Sequence, residues 1–361
     1  MKLGMFMMPF HSLDRSYREM YDMDTQAAIH ADACGFEELW VGEHYTAKVE
    51  PISNTLQFMS SLIPVTKNMK LCPGVLNLPQ HNPVRVAADV AMFDNMSGGR
   101  FIMGIGPGGL GSDLEIFDTM PKDRNAMMIE CAEMVQQIWQ SNQAPFHLKG
   151  EYWNHDLQKA VHPDLGIGII PKPLQDPFPA FCISAMSPHS GTAALAGTKG
   201  WNLISANFNA PWVIRSHWDV HSKAIEAEGR TADPSTWRVC RSILVTDTME
   251  QANAFLADRN NSISHYYDYM VTLLRRTGRG RIQALLPTES SEEDDVSLQT
   301  CLDSMVIAGT PDVVAEKISA FRDEVGPFGT LLMAFHEWDD EALWRRSYEL
   351  LAEKVLPAVN A

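Results

Sequence analysis

The sequence predicts an α/β fold, a (β/α)8 TIM barrel that forms a single domain over residues 1–361. Short apolar segments alternate with segments whose apolar residues recur at helical spacing, and about eight such units follow one another. A series of this length and rhythm is typical of a closed parallel barrel. The rhythm is interrupted twice, so we predict irregular insertions at about residues 143–179 and 277–299.

Eight short apolar runs are predicted to form the barrel strands. Runs of this length, bounded by glycine, proline or polar residues, are typical of buried strands. They cover residues 2–8, 36–41, 69–78, 101–105, 180–184, 201–204, 237–245 and 329–335. A predicted helix follows each run, so all eight strands are expected to run parallel.

The predicted helices have recognisable ends. Pro83 and Pro311 stand in first turns, where proline is favoured, and Thr310 is expected to be the N-cap of the second of these helices. Gly35 and Gly197 follow helix ends, where glycine is favoured. The helices are predicted at residues 21–34, 56–66, 83–96, 124–139, 190–196, 211–228, after 248, and at 310–325 and 341–355.

Composition excludes several classes of partner. The net charge is −16 and the chain has no basic cluster, which argues against nucleic acids and anionic membranes. We find no apolar run long enough to span a bilayer, and the first ten residues lack the basic segment of a signal peptide. The six cysteines form no CxxC pair, so we expect buried free thiols and a reducing, cytoplasmic location.

The candidate catalytic residue is His44, which follows the second predicted strand. Residues 40–45 (WVGEHY) end this strand with an acid, an imidazole and a phenol. Barrels of this type hold their active sites at the carboxyl ends of their strands. An imidazole there can donate a hydrogen bond to a reactive oxygen or act as a general acid or base. The alternative is a histidine with a purely structural role.

Two glycine-containing segments offer a ligand close approach to the backbone. Gly74 and Asn77 close the third predicted strand, and Asn77 can donate to and accept from a planar heterocycle. Residues 104–109 (GIGPGG) follow the fourth strand. They do not match the GxGxxG motif of a dinucleotide fold, because Pro107 and a long loop precede the next helix. A ligand-binding loop and a flexible turn are both compatible with them.

A candidate anion site lies at residues 184–190 (SAMSPHS), between a predicted strand and a helix. Free amides at a helix N-terminus, flanked by hydroxyl groups, bind anions, and this half of a barrel often holds a phosphate. Ordinary N-capping by Ser187 is the alternative, and both can hold together.

Other catalytic motifs give little support to other functions. His217 and His221 have the i, i+4 spacing of metal ligands, but the sequence offers no third ligand, so we expect surface or interface histidines and no metal. No GxSxG elbow and no P-loop is present.

Several separate segments resemble the bacterial luciferase-like, flavin-dependent monooxygenases. The matching segments occur in order at residues 2–6 (KLGMF), 39–44 (LWVGEH), 78–85 (LPQHNPVR), 97–106 (SGGRFIMGIG) and 308–312 (AGTPD). Further segments are most similar to the limonene monooxygenase-like branch, at residues 8–11 (MPFH), 106–108 (GPG), 112–113 (SD), 185–188 (AMSP) and 328–332 (FGTLL). Tyr45 replaces the second histidine of the luciferase Glu-His-His sequence, so light emission does not follow from the resemblance.

The resemblance implies a cofactor and a reaction. A barrel of this family binds reduced FMN supplied by a separate flavin reductase, O2 adds at flavin C4a, and the resulting (hydro)peroxide oxidises a small apolar substrate such as a terpene or a cyclic ketone. Epoxidation, hydroxylation and Baeyer–Villiger insertion all remain open. The resemblance also implies a homodimer formed through the second and third helices. The loops at 143–179 and 277–299 are expected to face the substrate.

The resemblance assigns roles to individual residues. His44 is expected beside the flavin, where it stabilises the oxygenated cofactor, and Gly74 and Val75 are expected to flank a non-proline cis peptide against the ring. The luciferase branch has an arginine where Pro107 stands here, so Arg124 is our candidate for the phosphate charge. The expected cofactor-binding residues are Gly74, Val75, Asn77, Gly106, Arg124, Ser184, Ala185, Met186 and Ser187.

Two other functions remain open on the same fold. One is a deazaflavin-dependent oxidoreductase, which transfers hydride and does not use O2, and the other is a flavin-binding protein without catalysis. The sequence disfavours a metal-dependent hydrolase, because it contains no recognisable ligand set.

Overall fold

The computed structural model describes residues 1–8, 10–141, 145–277 and 281–361. The strands of these residues are β1 (Lys2–Met7), β2 (Glu38–Val41), β3 (Lys70–Pro73), β4 (Leu76–Asn77), β5 (Met103–Gly106), β6 (Phe146–Lys149), β7 (Asn154–Leu157), β8 (Phe181–Ala185), β9 (Asn202–Ser205), β10 (Trp237–Val245), β11 (Val306–Gly309) and β12 (Thr330–Ala334).

The α-helices of the same residues include those that the sequence predicts and some that it does not, among them Gly111–Ile116 and Leu298–Met305. They are α1 (Tyr17–Ala33), α2 (Thr55–Leu62), α3 (Pro83–Ser97), α4 (Gly111–Ile116), α5 (Arg124–Gln140), α6 (Gly191–Lys199), α7 (Pro211–Ala227), α8 (Met249–Ala257), α9 (Ser262–Thr277), α10 (Leu298–Met305), α11 (Pro311–Val325), α12 (Glu341–Leu350) and α13 (Leu356–Asn360). None of these helices is long and apolar enough to cross a lipid bilayer.

The main sheet closes into a barrel, which confirms the predicted fold class. Its parallel strands follow the order β3-β2-β1-β12-β10-β9-β8-β5-β4. Strands β3 and β4 are two parts of one barrel strand, separated by the Gly74–Val75 peptide, which is cis as predicted. The ring closes where Leu71 pairs with Phe101, and the Leu71 amide donates to the Arg100 carbonyl at 2.9 Å.

A ninth parallel strand, β11, lies outside the ring and was not predicted. It pairs with the second half of β10, from Ser242 opposite Val306 to Val245 opposite Gly309. The nine-residue strand β10 pairs with β12 and β9 through its first half. Its second half therefore needs another partner, and the four residues of β11 supply it. Strands β2, β5 and β9 are equally short and were predicted, so length alone does not explain why β11 was missed.

The insertion at 143–179 is only partly irregular. Its described residues include an antiparallel hairpin of β6 and β7, and Glu130 of α5 accepts the amides of Glu151, Tyr152 and Trp153. In the second insertion, α9 extends to Thr277, and turns of 3₁₀-helix occur at Arg281–Leu285 and Glu293–Asp295. Residues 278–280 of that insertion lie outside the described residues.

The cap of α11 differs from the prediction. Thr310 occupies the N-cap position, as expected, but its side chain makes no capping hydrogen bond. At α6 the N-cap is Ser190 and not the predicted Ser187. The Ser190 side chain makes no capping hydrogen bond either, although sequence spacing placed both helix starts within a few residues.

The barrel interior is a small apolar core with one buried ion pair. Trp40 is fully buried there, and a Cβ atom built at Gly104 would lie 2.9 Å from its ring and only 1.9 Å from the Pro73 carbonyl oxygen. The Arg238 guanidinium donates to both carboxylate oxygens of Glu38, at 2.7 and 2.8 Å, and the Trp40 indole donates to the same carboxylate at 2.8 Å. These bonds join β2 to β10 across the barrel.

We predict that Glu38→Gln destabilises the fold by about 3–5 kcal/mol, because it leaves the buried Arg238 without its counter-charge. Chemical denaturation measures this change. The neighbouring Glu37 forms an exposed pair with Lys2, so Glu37→Gln is a matched control that should cost less than about 1 kcal/mol. Equal effects of the two substitutions would contradict a role for the buried pair.

The same pair has a predictable dependence on pH. Burial tends to raise the pKa of Glu38, but the charge and hydrogen bonds of Arg238 outweigh it, and the net effect lowers this pKa below its ordinary value of 4.5. The stabilisation by the pair is therefore fully present above that value and lost as the pH falls through the lowered pKa.

Candidate functional site

A cavity of about 500 Å³ opens at the carboxyl ends of the barrel strands. The lining includes polar and glycine residues from the segments that follow β5 and β8, among them Gly108, Arg124 and Ser187, which we call the polar wall. It also includes aromatic and aliphatic residues, many of them from α9, which we call the apolar wall. His44 and Glu50 lie in the same lining. The cavity thus joins a polar wall, an apolar wall and an imidazole.

Asp113 holds His44 and the backbone after it. Nδ1 of His44 lies 3.1 Å from Asp113 Oδ2, and because an ionised carboxylate can only accept, we assign the proton to Nδ1. Asp113 also accepts from the Tyr45 amide at 3.2 Å, the Thr46 amide at 2.9 Å and the Thr46 hydroxyl. Nε2 of His44 is left facing Glu50, whose Oε2 is 3.6 Å away.

The charges around His44 favour its protonated form. Burial alone would lower the pKa of His44, but the carboxylates of Glu50, Asp113 and Glu43 together raise it. Burial also raises the pKa of Glu50, assisted by Asp113 and opposed by His44. For Asp113, burial is outweighed by hydrogen bonds from His44, Thr46 and Tyr45, so its pKa is lowered and it stays ionised.

Glu43 organises the neighbouring strand end. Its Oε2 lies 2.8 Å from His81 Nε2 and accepts the Asn77 amide at 3.2 Å. The Asn77 side-chain amide donates to the Glu43 carbonyl at 3.0 Å. Asn77 is therefore already bonded to the protein, and it is not among the residues that line the cavity.

Side chains from the neighbouring elements bind the carbonyl groups of the loop after β8. The Thr192 hydroxyl donates to the Ser184 carbonyl at 2.8 Å and the Asn209 amide to the Met186 carbonyl at 2.7 Å. The Ser187 carbonyl lies 2.9 Å from His217 Nε2, which is its donor. With these carbonyls satisfied, the hydroxyl groups of Ser184 and Ser187 line the cavity. Within the described residues neither hydroxyl forms a hydrogen bond.

The prediction that His217 and His221 are surface or interface residues is wrong. Both are fully buried in α7. Nδ1 of His217 lies 3.0 Å from the Ser205 hydroxyl, and burial lowers the pKa of His217 to about 4, so the ring is neutral. His221 bonds to the Ala193 carbonyl at 3.2 Å. Among the described residues, no group of three or more His, Cys, Asp or Glu side chains could hold a metal ion.

Glycine residues allow close packing and an unusual backbone conformation next to the cavity. A Cβ atom at Gly106 would lie 2.5 Å from Val75 Cγ2 and 3.7 Å from the Ser184 hydroxyl. Gly108 has a φ of +79°, and its carbonyl accepts from Arg124 at 2.7 Å. Both polar atoms of the Gln80 amide are buried and have no hydrogen-bond partner in the described part of the chain, and a Cβ atom at Gly108 would lie 3.5 Å from this amide.

The structure brings the predicted site residues together at one end of the barrel. His44, Arg124, Ser184, Met186 and Ser187 line the cavity. The other predicted residues are not in the lining; several of them form the layer beneath it. They are Gly74, Val75, Asn77, Gly106 and Ala185.

Sequence reasoning missed the apolar wall and two acids. The wall is formed by side chains from α9 and nearby loops, namely Met8, Phe208, Tyr266, Tyr269, Met270, Leu273 and Leu274. None of the described residues of 143–179 lines the cavity, whereas Thr277 and Ala284 of the second predicted loop, 277–299, do so. The helical spacing of the apolar residues in α9 was a signal for the wall. Asp113 lies in a segment, residues 112–113, that already carried the family resemblance, whereas Glu50 had no signal beyond its nearness to a strand end.

Comparison with known proteins places this geometry in a family. Residues 1–326 match the family model described as luciferase-like monooxygenase. The chain is 25% identical to 3,6-diketocamphane 1,6-monooxygenase of Pseudomonas putida, over 99% of this chain and 98% of that protein. It is 27% identical to limonene 1,2-monooxygenase of Rhodococcus erythropolis, over 99% and 86% of the two chains.

A solved structure agrees with this assignment. The oxygenating constituent of 3,6-diketocamphane monooxygenase from Pseudomonas putida, a type II Baeyer–Villiger monooxygenase in complex with FMN, superposes with a TM-score of 0.88. The two chains are 26% identical, and the match covers 99% of this chain and 98% of that one. From the family model, the relatives and the shared barrel, we conclude that the chain belongs to the luciferase-like monooxygenase family.

Proposed function

We propose that the protein is the oxygenase component of a two-component, FMN-dependent monooxygenase that oxidises a small apolar substrate of terpene or cyclic-ketone type. The observation that carries the proposal is the cavity, whose lining combines His44 with polar residues and with the apolar residues of α9. The relatives named above support the reaction class. Reduced FMN is supplied by a separate reductase in this proposal, and O2 is the co-substrate.

The residues present fit FMN. Gly108 and Gly109 line the cavity without side chains, which suits the close approach of a planar ring to the backbone. The unpartnered Gln80 amide beside Gly108 offers a donor and an acceptor of the kind that a flavin heterocycle uses. At the other end of the polar wall, Ser184, Ser187 and Arg124 provide hydroxyl groups and a positive charge for a phosphate.

The chain's own residues have distinct tasks in this proposal. Ser184, Ser187, Arg124 and the amides before α6 would bind the phosphate, and the α9 wall would hold the substrate and exclude water. The acidic neighbours of His44 raise its pKa, which favours the form whose Nε2 can donate a hydrogen bond to reacting oxygen. FMN, when bound, supplies the two electrons that activate O2.

Isotope labelling tests the proposed reaction. Chemically reduced FMN, 18O2 and a panel of terpenes and cyclic ketones should yield a product that contains one 18O atom per molecule. His44→Ala should retain FMN binding, yet lower the product yield by about 10²-fold or more, because it removes the proton-donating group. Product mass spectrometry measures the 18O content and the yield of the product, and catalase excludes oxidation by free hydrogen peroxide.

The same experiment distinguishes the other candidate functions. Oxidation of the flavin without labelled product across the panel would contradict the proposal. Oxidation of an alcohol, or reduction of the corresponding carbonyl compound, with a deazaflavin cofactor would then favour the deazaflavin-dependent reaction, and flavin binding without turnover would favour a binding protein.

We predict that Ser187→Asp weakens FMN binding about tenfold or more, because it places a negative charge beside the proposed phosphate position. Ser187 is exposed, so the substitution should leave the fold intact. Ser187→Ala removes only a hydrogen bond and should cost a few-fold at most. Riboflavin, which lacks the phosphate, serves as a second control in the same fluorescence titration. Equal FMN affinity in the wild type and Ser187→Asp would place the phosphate elsewhere.

We further propose a homodimer formed through α2 and α3, in a reducing, cytoplasmic location. The side chains of Met92 and Met96 on α3 support the first point, because they are 59% and 51% exposed. The free thiols support the second. Sedimentation should give twice the mass of one chain, and Met92→Asp should give the monomer. Met120→Asp, at an exposed site on another surface, should leave the dimer unchanged; a monomeric wild type would refute the interface.

A further inference from the structure

Glu50 is a buried carboxylate that the function described so far does not use. It lies in the loop after β2 and lines the cavity, and its side chain is only 10% exposed. The backbone fixes its position from both sides. The Val49 carbonyl accepts the His11 amide at 2.8 Å, the Pro51 carbonyl accepts the Tyr21 hydroxyl at 2.8 Å, and the Ile52 carbonyl accepts the His44 amide at 3.0 Å.

The carboxylate of Glu50 does not hold any described part of the backbone or any other described side chain by a hydrogen bond. Within the described residues it accepts no hydrogen bond, and its one ionic partner within 4 Å is His44 Nε2 at 3.6 Å. A carboxylate buried in this way costs free energy unless a charge or a donor compensates it. The nearby Glu43 shows the contrast, since its carboxylate bonds to both His81 and Asn77. The position of Glu50 therefore makes sense only in relation to His44 and the cavity.

We propose that Glu50 sets the protonation of His44: its carboxylate lies at ion-pair distance from Nε2 and stabilises the proton of the imidazole that faces the reacting oxygen. Glu50 acts through His44, so it is a positioning residue. Asp113 holds Nδ1, which leaves Nε2 as the nitrogen that exchanges the proton. The inference rests on the proposed monooxygenase function for its purpose but not for its geometry.

The proton count is consistent with this role. Reduced FMN, O2 and a substrate give oxidised FMN, an oxygenated product and one water. Two electrons come from reduced FMN and two from the substrate, and both hydrogens of the water come, in the net balance, from reduced FMN. His44 lends its proton to oxygen and regains a proton later in the cycle, so it returns to its starting state. No additional oxidant or reductant is needed.

Other ionisable groups also face this pair and enter the experiment. Asp113 of α4 and Glu43 after β2 act on His44 together with Glu50. Burial raises the pKa of Tyr266 and of Tyr269 in α9, and the charge of Glu50 adds to this increase. The remaining charged groups of the same cavity lining are Lys122, Asp123 and Arg124.

The test is the titration of His44 in the flavin-free protein, followed by NMR of ring-labelled histidine. In Glu50→Gln the midpoint of this titration should fall by about 1 pH unit or more, because a charge within 4 Å of the ring is removed. Glu50→Asp keeps the charge and should recover at least half of the difference. Glu115→Gln removes a charge from an exposed position on α4 and should leave the midpoint unchanged.

A second measurement keeps the test independent of the variants. In the unmodified protein, the side-chain carboxyl carbon of Glu50 and the His44 ring should report the same titration. An unchanged His44 midpoint in Glu50→Gln, or separate titrations in the wild type, would overturn the proposal. Labelled product with an unchanged midpoint would refute the role of Glu50 alone, whereas a shifted midpoint without labelled product would refute the proposed function alone.

Discussion

The position of the whole site depends on how Trp40 fills the barrel. The indole takes the space that Gly104 leaves free, and it also packs against Gly74, where a Cβ atom would lie 3.1 Å from Trp40 Cβ. A larger residue at either glycine would push apart strands that are held in register. Above this packed layer the strands end, and their loops form the cavity. The Glu38–Arg238 pair fixes the opposite end of the same interior.

The loops around the cavity are held from outside by hydrogen bonds to their backbone. Asp113 accepts the amides after His44, and His217, Asn209 and Thr192 bind the carbonyls after β8. These contacts satisfy backbone groups that would otherwise face the cavity. The cavity is then left with hydroxyl groups and amides on one wall, apolar side chains on the other, and an excess of negative charge around a single imidazole. A flavin with its phosphate and an apolar substrate fit that division.

The strands and helices were predictable because each segment carries its own pattern of burial. Apolar runs and helical spacing depend on residues that are neighbours in sequence, so the barrel, its order and the residues at the strand ends could be inferred. The four-residue β11 could not, because it exists only as a partner for the long β10. His217 looked like a surface residue, since no local pattern shows that α7 packs its histidines against the loop after β8.

The site was predictable only in part, for a related reason. His44, Ser187 and the glycine loop stand at strand ends, where the fold class alone indicates function. The contacts of His44 with Glu50 and Asp113 depend on how two segments fold back over the barrel, and sequence spacing does not indicate those conformations. The α9 wall was not recognised, because the apolar face of a helix is equally typical of ordinary core packing.

The most direct test of the central claim is a crystal structure of the protein with bound FMN. The account predicts the flavin in the cavity at the carboxyl end of the barrel, with its phosphate at Ser184, Ser187 and Arg124 and its ring over Gly106, and with His44 and the α9 wall facing the remaining space. A flavin bound elsewhere, or a phosphate away from the loop after β8, would contradict the assignment of the cavity.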